Sequence, residues 1–175
     1  MKTTTRWVLL LGLLGLFLSG FVIPQDRLIP VAGATLKDWN PASFWYYPWG
    51  RSGVHKGIDI FAKEGTSVLA TTSGLVVFSG NIAMGGNVVL ILGGKWRFYY
   101  YAHLRDIAAQ TGQWLNTGEV LGTVGSTGNA QGKPPHLHFA ISSLFPILSQ
   151  YDPNLPQAWK KMFYLDPTAF LQTAK

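Results

Sequence analysis

The stretch "GKPPHLHFAIS", residues 132–142, places two of the chain's four histidines one residue apart inside an apolar run. Side chains in a strand alternate between faces, so His136 and His138 point the same way with Cα atoms about 7 Å apart, while Leu137 faces opposite. Two imidazoles on one face can both reach one small centre. The plainer alternative is a solvent-facing pair on an edge strand, and spacing alone does not choose between them. Two questions follow for the rest of the chain: whether it is built of strands, and whether other ligating groups converge on this pair.

From residue 54 to about 141 the sequence reads as short strands punctuated by glycine: "GIDIFA", "SVLATT", "GLVVFSG", "NVVLILG", "WRFYYYAHL", "EVLGTVG" and "HLHFAIS". Their β-branched and aromatic content, with turn residues at short intervals, predicts a mainly β, antiparallel domain. Helix signals are scarce there. The tail "PQAWKKMFYLDPTAFLQTAK", residues 156–175, is expected to be partly helical, with Pro167 suited to a first helical turn.

The other half of a possible centre lies in "VHKGIDI", residues 54–60. His55 precedes Asp59 by four residues, Gly57 lets the backbone turn between them, and Ile58 and Ile60 flank Asp59 on the opposite, apolar side of a strand. A carboxylate buried there without a partner is strongly unfavourable. A cation resolves that cost, and a salt bridge to Lys56 or Arg51 is the alternative. The chain has no cysteine, so disulfides and thiolate sites are excluded and any metal must be held by nitrogen and oxygen. His55, Asp59 and one of the paired histidines supply two nitrogens and one oxygen. Three protein ligands on zinc leave the fourth tetrahedral position to water, the arrangement of a catalytic site. His103 closes the aromatic strand "YYYAHLRD", residues 99–106; its reading as packing or chemistry depends on the other three histidines.

At the start, "MKTTTRWVLLLGLLGLFLSGFVIPQDR" sets Lys2 and Arg6 ahead of an uncharged run from Trp7 to Ile23. This is the pattern of an export signal or an N-terminal membrane anchor, and a buried core helix is the lesser alternative. The expected organisation is a signal peptide or anchor over 1–25, a linker and aromatic-rich segment over 26–49, and one β-rich domain over 50–175. The run "WNPASFWYYPWGRSG", residues 39–53, is either the lid of a core or the wall of a groove, and core packing is favoured because so many exposed aromatics invite aggregation. Hydrophobic residues make up 47% and charged residues 13%, which argues for one compact, apolar domain and against disorder. Of the formal charge of +6, Lys2 and Arg6 supply two, and the mild excess of twelve bases over eight acids from residue 26 onward suits an anionic surface such as a bacterial cell wall. No basic stripe is interleaved with stacking residues, so nucleic acid is not an expected partner.

Taken together, "HKGID", "YAHL" and "HLHF", in that order, resemble the lysostaphin-type zinc metallopeptidases, also called LytM-like peptidoglycan endopeptidases. The segments "GTSVLATTSGLVVFSG", "GGNVVLIL", "TGEVLGTVGSTGNAQGKPPHLHF" and "LDPTAFL" agree, and the resemblance covers roughly residues 50–170. It implies a LytM-type antiparallel β-sheet or barrel-like fold (the duplicated hybrid motif) with an open groove, here with an N-terminal hydrophobic helix and a short helical tail. It implies one Zn²⁺ per chain, with His55, Asp59 and His138 as ligands. His103 and His136 match the two catalytic histidines that assist the water on the metal and the developing oxyanion. Asn87 and Tyr101 become candidates to line the substrate groove, with a structural role as the alternative. The implied activity is hydrolysis of peptide bonds in the stem peptides or cross-links of bacterial peptidoglycan, by an exported protein of the periplasm or cell envelope, tethered to the inner membrane or secreted. Nothing in these residues names the bond.

The chain contains no His-Glu-x-x-His helix, and Glu64 and Glu119, its only glutamates, lie in no histidine motif. A histidine, with an unperturbed pKa near 6.5, is therefore the better general base at neutral pH. Two departures stand out. Many family members carry an acidic residue after "HLHF", where this chain has Ala140, and the segment 143–164 is longer and more apolar than usual, fit for a lid, a partner surface or a membrane-facing patch. Two rivals to an enzyme are a catalytically silent member of the same family that activates another wall hydrolase, and a β module whose histidines simply hold a cation. Silent members have typically lost metal ligands, whereas this chain keeps all five histidine and aspartate positions.

Overall fold

In the computed structural model, residues 2–172 are described; the last three residues of the expected helical tail lie outside them. The helix α1, Lys2–Val22, leads into nine strands: β1 Ile58–Phe61, β2 Ser67–Leu69, β3 Gly74–Ile82, β4 Gly86–Gly93, β5 Arg97–Ile107, β6 Trp114–Leu115, β7 Val120–Val124, β8 His136–Ser143 and β9 Tyr164–Leu165. Two short helices, α2 Ala158–Lys161 and α3 Pro167–Leu171, stand in the tail. All pairings are antiparallel, in the order β1-β8-β5-β4-β3-β6, with β2 paired to β7, β7 also to β5, and β9 to β8. The mainly β, antiparallel expectation holds, but the sheet does not close into a barrel.

Strand alternation sorts the central residues onto two faces. Ile58 and Ile60 of β1, Val89 and Ile91 of β4, Tyr99 and Tyr101 of β5, and Leu137, Phe139 and Ile141 of β8 are all fully buried in one cluster, closed by Phe170 and Leu171 of α3. The intervening residues of β1, β8 and β5 face the other way. Register then sets Asp59 beside His138, and Ala102 beside His138 from the other neighbour. β1 and β5 thus flank β8, so one sheet face gathers groups from three strands.

That closeness depends on Gly57. A Cβ there would fall within the contact distance of the Phe139 carbonyl and the Ala140 side chain, and backbone cannot swing aside as a flexible side chain can. Gly57→Ala should cost roughly 1–3 kcal/mol as an overpacking substitution, read as a lowered midpoint in denaturant unfolding of the metal-free protein. An unchanged midpoint would mean that the β1–β8 approach is looser than described.

The aromatic-rich segment divides between its two expected roles. Trp39 and Trp45 are buried, Trp39 donating from Nε1 to Thr168 Oγ1 (3.0 Å) and Trp45 from Nε1 to the Pro156 carbonyl (2.9 Å). Tyr46, Tyr47 and Trp49 are exposed. In the tail, Pro167 takes the first turn of α3, and Asp166 caps it by accepting from the Thr168 amide at 2.8 Å. Segment 143–164 runs out from β8 and returns alongside itself, with Ser143 N donating to Phe163 O and Ile147 N to Met162 O. It is tied back to the loop before β1 where Gln157 Nε2 donates to the Ser52 carbonyl (2.8 Å). Helix α1 keeps most of its apolar side chains exposed; its contacts to the domain include a hydrogen bond from Trp96 Nε1 to the Phe17 carbonyl (2.9 Å) and a Phe17–Phe145 ring contact. Among the described residues no helix is long and apolar enough to cross a membrane.

Candidate metal centre and groove

His55 Nε2, Asp59 Oδ1 and His138 Nδ1 converge. The carboxylate oxygen lies 3.2 Å from His55 Nε2 and 2.8 Å from His138 Nδ1, and the two nitrogens are 3.2 Å apart. Metal–ligand bonds of about 2.0–2.2 Å in a tetrahedron set donor atoms roughly 3.3 Å from one another, so the three atoms already stand near the corners of one tetrahedral face. They are the one group of three or more such side chains among the described residues placed to hold an ion. Asp59 forms no ion pair with Lys56 or Arg51, the alternative its sequence setting left open; its partners are the two histidines.

The charge states suit a ligand set. Burial pushes the Asp59 carboxyl up, but the hydrogen bonds and charge of His138 and His55 outweigh it and hold the group well below the usual carboxylate range. Burial favours the neutral form of His138 despite the neighbouring carboxylate. An ionised carboxylate with neutral imidazoles is the state a divalent cation requires.

Carbonyl oxygens, which can only accept, fix three histidine tautomers. His55 Nδ1–H donates to Ser43 O (3.1 Å), His103 Nδ1–H to Thr127 O (2.9 Å) and His136 Nδ1–H to Pro134 O (2.8 Å). In a neutral ring the lone pair then lies at Nε2. For His55, Nε2 is the atom 3.2 Å from Asp59 Oδ1, and it can bind a cation only when it carries no proton for that carboxylate. The His103 and His136 rings stand beside the centre, with centroids 5.1 Å apart and His103 6.0 Å from His138. Burial first, then the neighbouring His138 and His136, pull the His103 pKa down to about 4, so it is neutral at pH 7.

How His103 reaches this face was not visible in the alternation. Tyr100 and Ala102 face the groove, so a regular strand would send His103 towards the core. Between β4 and β5 the register slips, the single residue Val88 between Asn87 and Val89 opposing two, Ala102 and His103, between Tyr101 and Leu104, and His103 within that bulge adopts φ +64°. The bulge turns its side chain to the groove, and its amide donates to Gly85 O at 2.8 Å. A non-glycine residue at positive φ persists where its surroundings over-determine it, and such positions cluster at functional sites.

All five histidine and aspartate positions line one groove of about 750 Å³, with Trp49, Phe61, Met84, Tyr100 and Tyr164 among its apolar walls. Trp49 stacks on His55 (centroids 4.2 Å, 27° between planes), and Phe61 packs against His136 at 5.4 Å. Two other candidates stand elsewhere. Tyr101 is fully buried in the core with its hydroxyl accepting from the Thr71 amide, and the next residue back, Tyr100, takes the groove face instead. Asn87 ties strands together, donating from Nδ2 to Arg105 O and accepting from Asn81, and does not line the groove.

These features agree with what the chain is similar to. The model of "Peptidase family M23" matches residues 53–149. The L-Ala--D-Glu endopeptidase of Bacillus subtilis is 37% identical over 113 residues, covering 59% of this chain and 35% of that protein. The murein hydrolase activator NlpD of Escherichia coli is 34% identical over 112 residues, covering 58% of this chain and 29% of that protein. The solved catalytic domain of the antimicrobial peptidase lysostaphin from Staphylococcus simulans superposes with a TM-score of 0.62 at 28% identity, covering 79% of this chain and 96% of that one. The alignments thus span about a third of the two curated relatives' length. With more than half of its residues matched by the family model, including every histidine and the aspartate of the groove, this chain belongs to peptidase family M23.

Proposed function

We propose that this chain is a zinc-dependent endopeptidase that hydrolyses peptide bonds in the stem peptides or cross-links of bacterial peptidoglycan. The observation that carries the proposal is the convergence of His55, Asp59 and His138 on one tetrahedral face, with two further histidines beside it in an open groove. Two nitrogens and one oxygen, without thiolates, fit zinc with a free coordination position. When bound, the ion supplies Lewis acidity and lowers the pKa of a coordinated water towards about 7.

The chain's own residues do the rest. His55, Asp59 and His138 hold the ion. His103, neutral and anchored through Nδ1, offers Nε2 as the proton acceptor, and His136 offers a second Nε2 on the same side. Whichever ring takes the proton becomes an imidazolium that can return it to the leaving amine or steady a developing oxyanion. The low His103 pKa makes the ring a ready donor of that proton and a correspondingly weaker acceptor. Trp49, Phe61 and Tyr100 give the groove apolar walls.

Similarity to an activator gives the regulatory reading a specific observation of its own. Retention of all five positions favours the enzyme. Zinc content, together with wall hydrolysis sensitive to a chelator, separates the two: stoichiometric zinc and hydrolysis support the enzyme, whereas stimulation of an amidase without hydrolysis supports the activator. Work on the cell wall would place the protein outside the inner membrane, and the cationic, apolar N-terminal segment supports export.

The Ser43 carbonyl and Trp49 are outer partners of His55, the first accepting from its Nδ1–H and the second stacked on its ring. Trp49→Ala should therefore weaken zinc binding by roughly tenfold or more, at the lower end of what loss of an outer partner costs, with Trp49→Phe recovering most of it. Competition against a chromophoric chelator measures both. Equal affinity in wild type and Trp49→Ala would remove Trp49 from the centre.

A further inference from the structure

The groove is electrically one-sided. Arg51, Lys56 and Lys133 line it, and its one carboxylate, Asp59, is already engaged by two histidines. Register spreads the cations along it. Ile58 pairs with Phe139, which puts Lys56 and Arg51 towards the Ala140 end of β8, whereas Lys133 leads into the His136 end. The candidate centre thus lies between positive groups. Lys160 adds another positive charge close enough to repel Lys56. Among the described residues the ion pairs are His55–Asp59, His138–Asp59 and Arg105–Asp106, so none of the groove cations has an acidic partner.

Like charges gathered in a concave site without a counter-charge disfavour the bare fold and raise the local concentration of anions. An uncharged peptide gains nothing from them. We infer that the groove selects a peptide bearing free carboxylate groups, with Arg51 and Lys133 as the residues that set the preference. The inference rests on the reading that the groove is where the peptide lies, and it narrows that reading to acidic peptides over neutral ones such as a glycine bridge. Exposed cations act here by attraction over roughly a Debye length, about 10 Å at 0.1 M salt, so the preference belongs mostly to binding and must fade as salt rises.

The test uses the zinc-loaded full chain and two synthetic stem-like peptides of one sequence. One carries its side-chain and terminal carboxylates, and the other has them as carboxamides. Binding is followed by fluorescence anisotropy and cleavage by mass spectrometry. At low salt the carboxylate peptide should bind roughly tenfold more tightly, and Arg51→Ala and Lys133→Ala should each cut that ratio by roughly two- to fivefold, the size expected of exposed pairs. Equal handling of the two peptides overturns the inference, as does an undiminished ratio in both variants. Equal binding of the two peptides with both cleaved would leave the endopeptidase reading standing without this preference. A carboxylate preference in binding with no cleavage of either would support the inference and remove the endopeptidase reading.

Discussion

Replacing His138 by alanine is expected to abolish zinc binding and peptide hydrolysis together. His138 Nδ1 stands 2.8 Å from Asp59 Oδ1 and 3.2 Å from His55 Nε2, so its loss leaves two ligands where a tetrahedral site needs three from the protein. The drop in affinity should exceed the roughly 10–100-fold that follows loss of an outer hydrogen-bond partner. A second consequence is structural. Without His138, the largely buried Asp59 carboxylate keeps His55 alone, and a buried group stripped of a hydrogen bond costs roughly 1–3 kcal/mol. Elemental analysis of the purified variant, with denaturant unfolding as a check that it folds, separates loss of metal from loss of fold. A folded His138→Ala protein that keeps stoichiometric zinc would remove this residue from the ligand set.

His103→Ala and His136→Ala should behave in the opposite way, keeping zinc while losing turnover by roughly 10²–10⁴-fold, the usual contribution of a general acid or base. Neither ring belongs to the converging three, and each is held by its own carbonyl, Thr127 O or Pro134 O. The His103 variant retains a Cβ at φ +64°, so it does not relieve the backbone; His103→Asn, a residue type that tolerates this region better, controls for strain. Single-turnover hydrolysis beside zinc content reads the effect. Full activity in the His103 variants would sink the role given to that ring.

Much of this site was legible because β alternation carries it. The pair His136 and His138, the intervening Leu137, and Asp59 between Ile58 and Ile60 all fall on the faces that a period of two assigns, and the antiparallel register brings Asp59 beside His138. What the sequence hid was local departure from that period. The bulge at His103 depends on a register slip against β4 that no residue type announces, and it sets Tyr100 rather than Tyr101 on the groove. Asn87 likewise serves the backbone of β5 through Arg105 O, a long-range contact beyond the reach of a strand pattern. Trp49 belongs with its aromatic neighbours by composition, and only the turn at Gly50–Ser52 followed by the reversal at Gly53 carries it onto His55. The short strands β6 and β9, two residues each, owe their pairing to β3 and β8 and have no pattern of their own.

The most direct test of the account is digestion of purified peptidoglycan by the full chain, stripped of metal and then titrated with zinc, with the released fragments identified by mass spectrometry. The account predicts no hydrolysis without metal, full hydrolysis at one zinc per chain, and fragments that differ by a cleaved peptide bond. Zinc-saturated protein that leaves the wall intact, or hydrolysis that continues undiminished after the metal is removed, would contradict it.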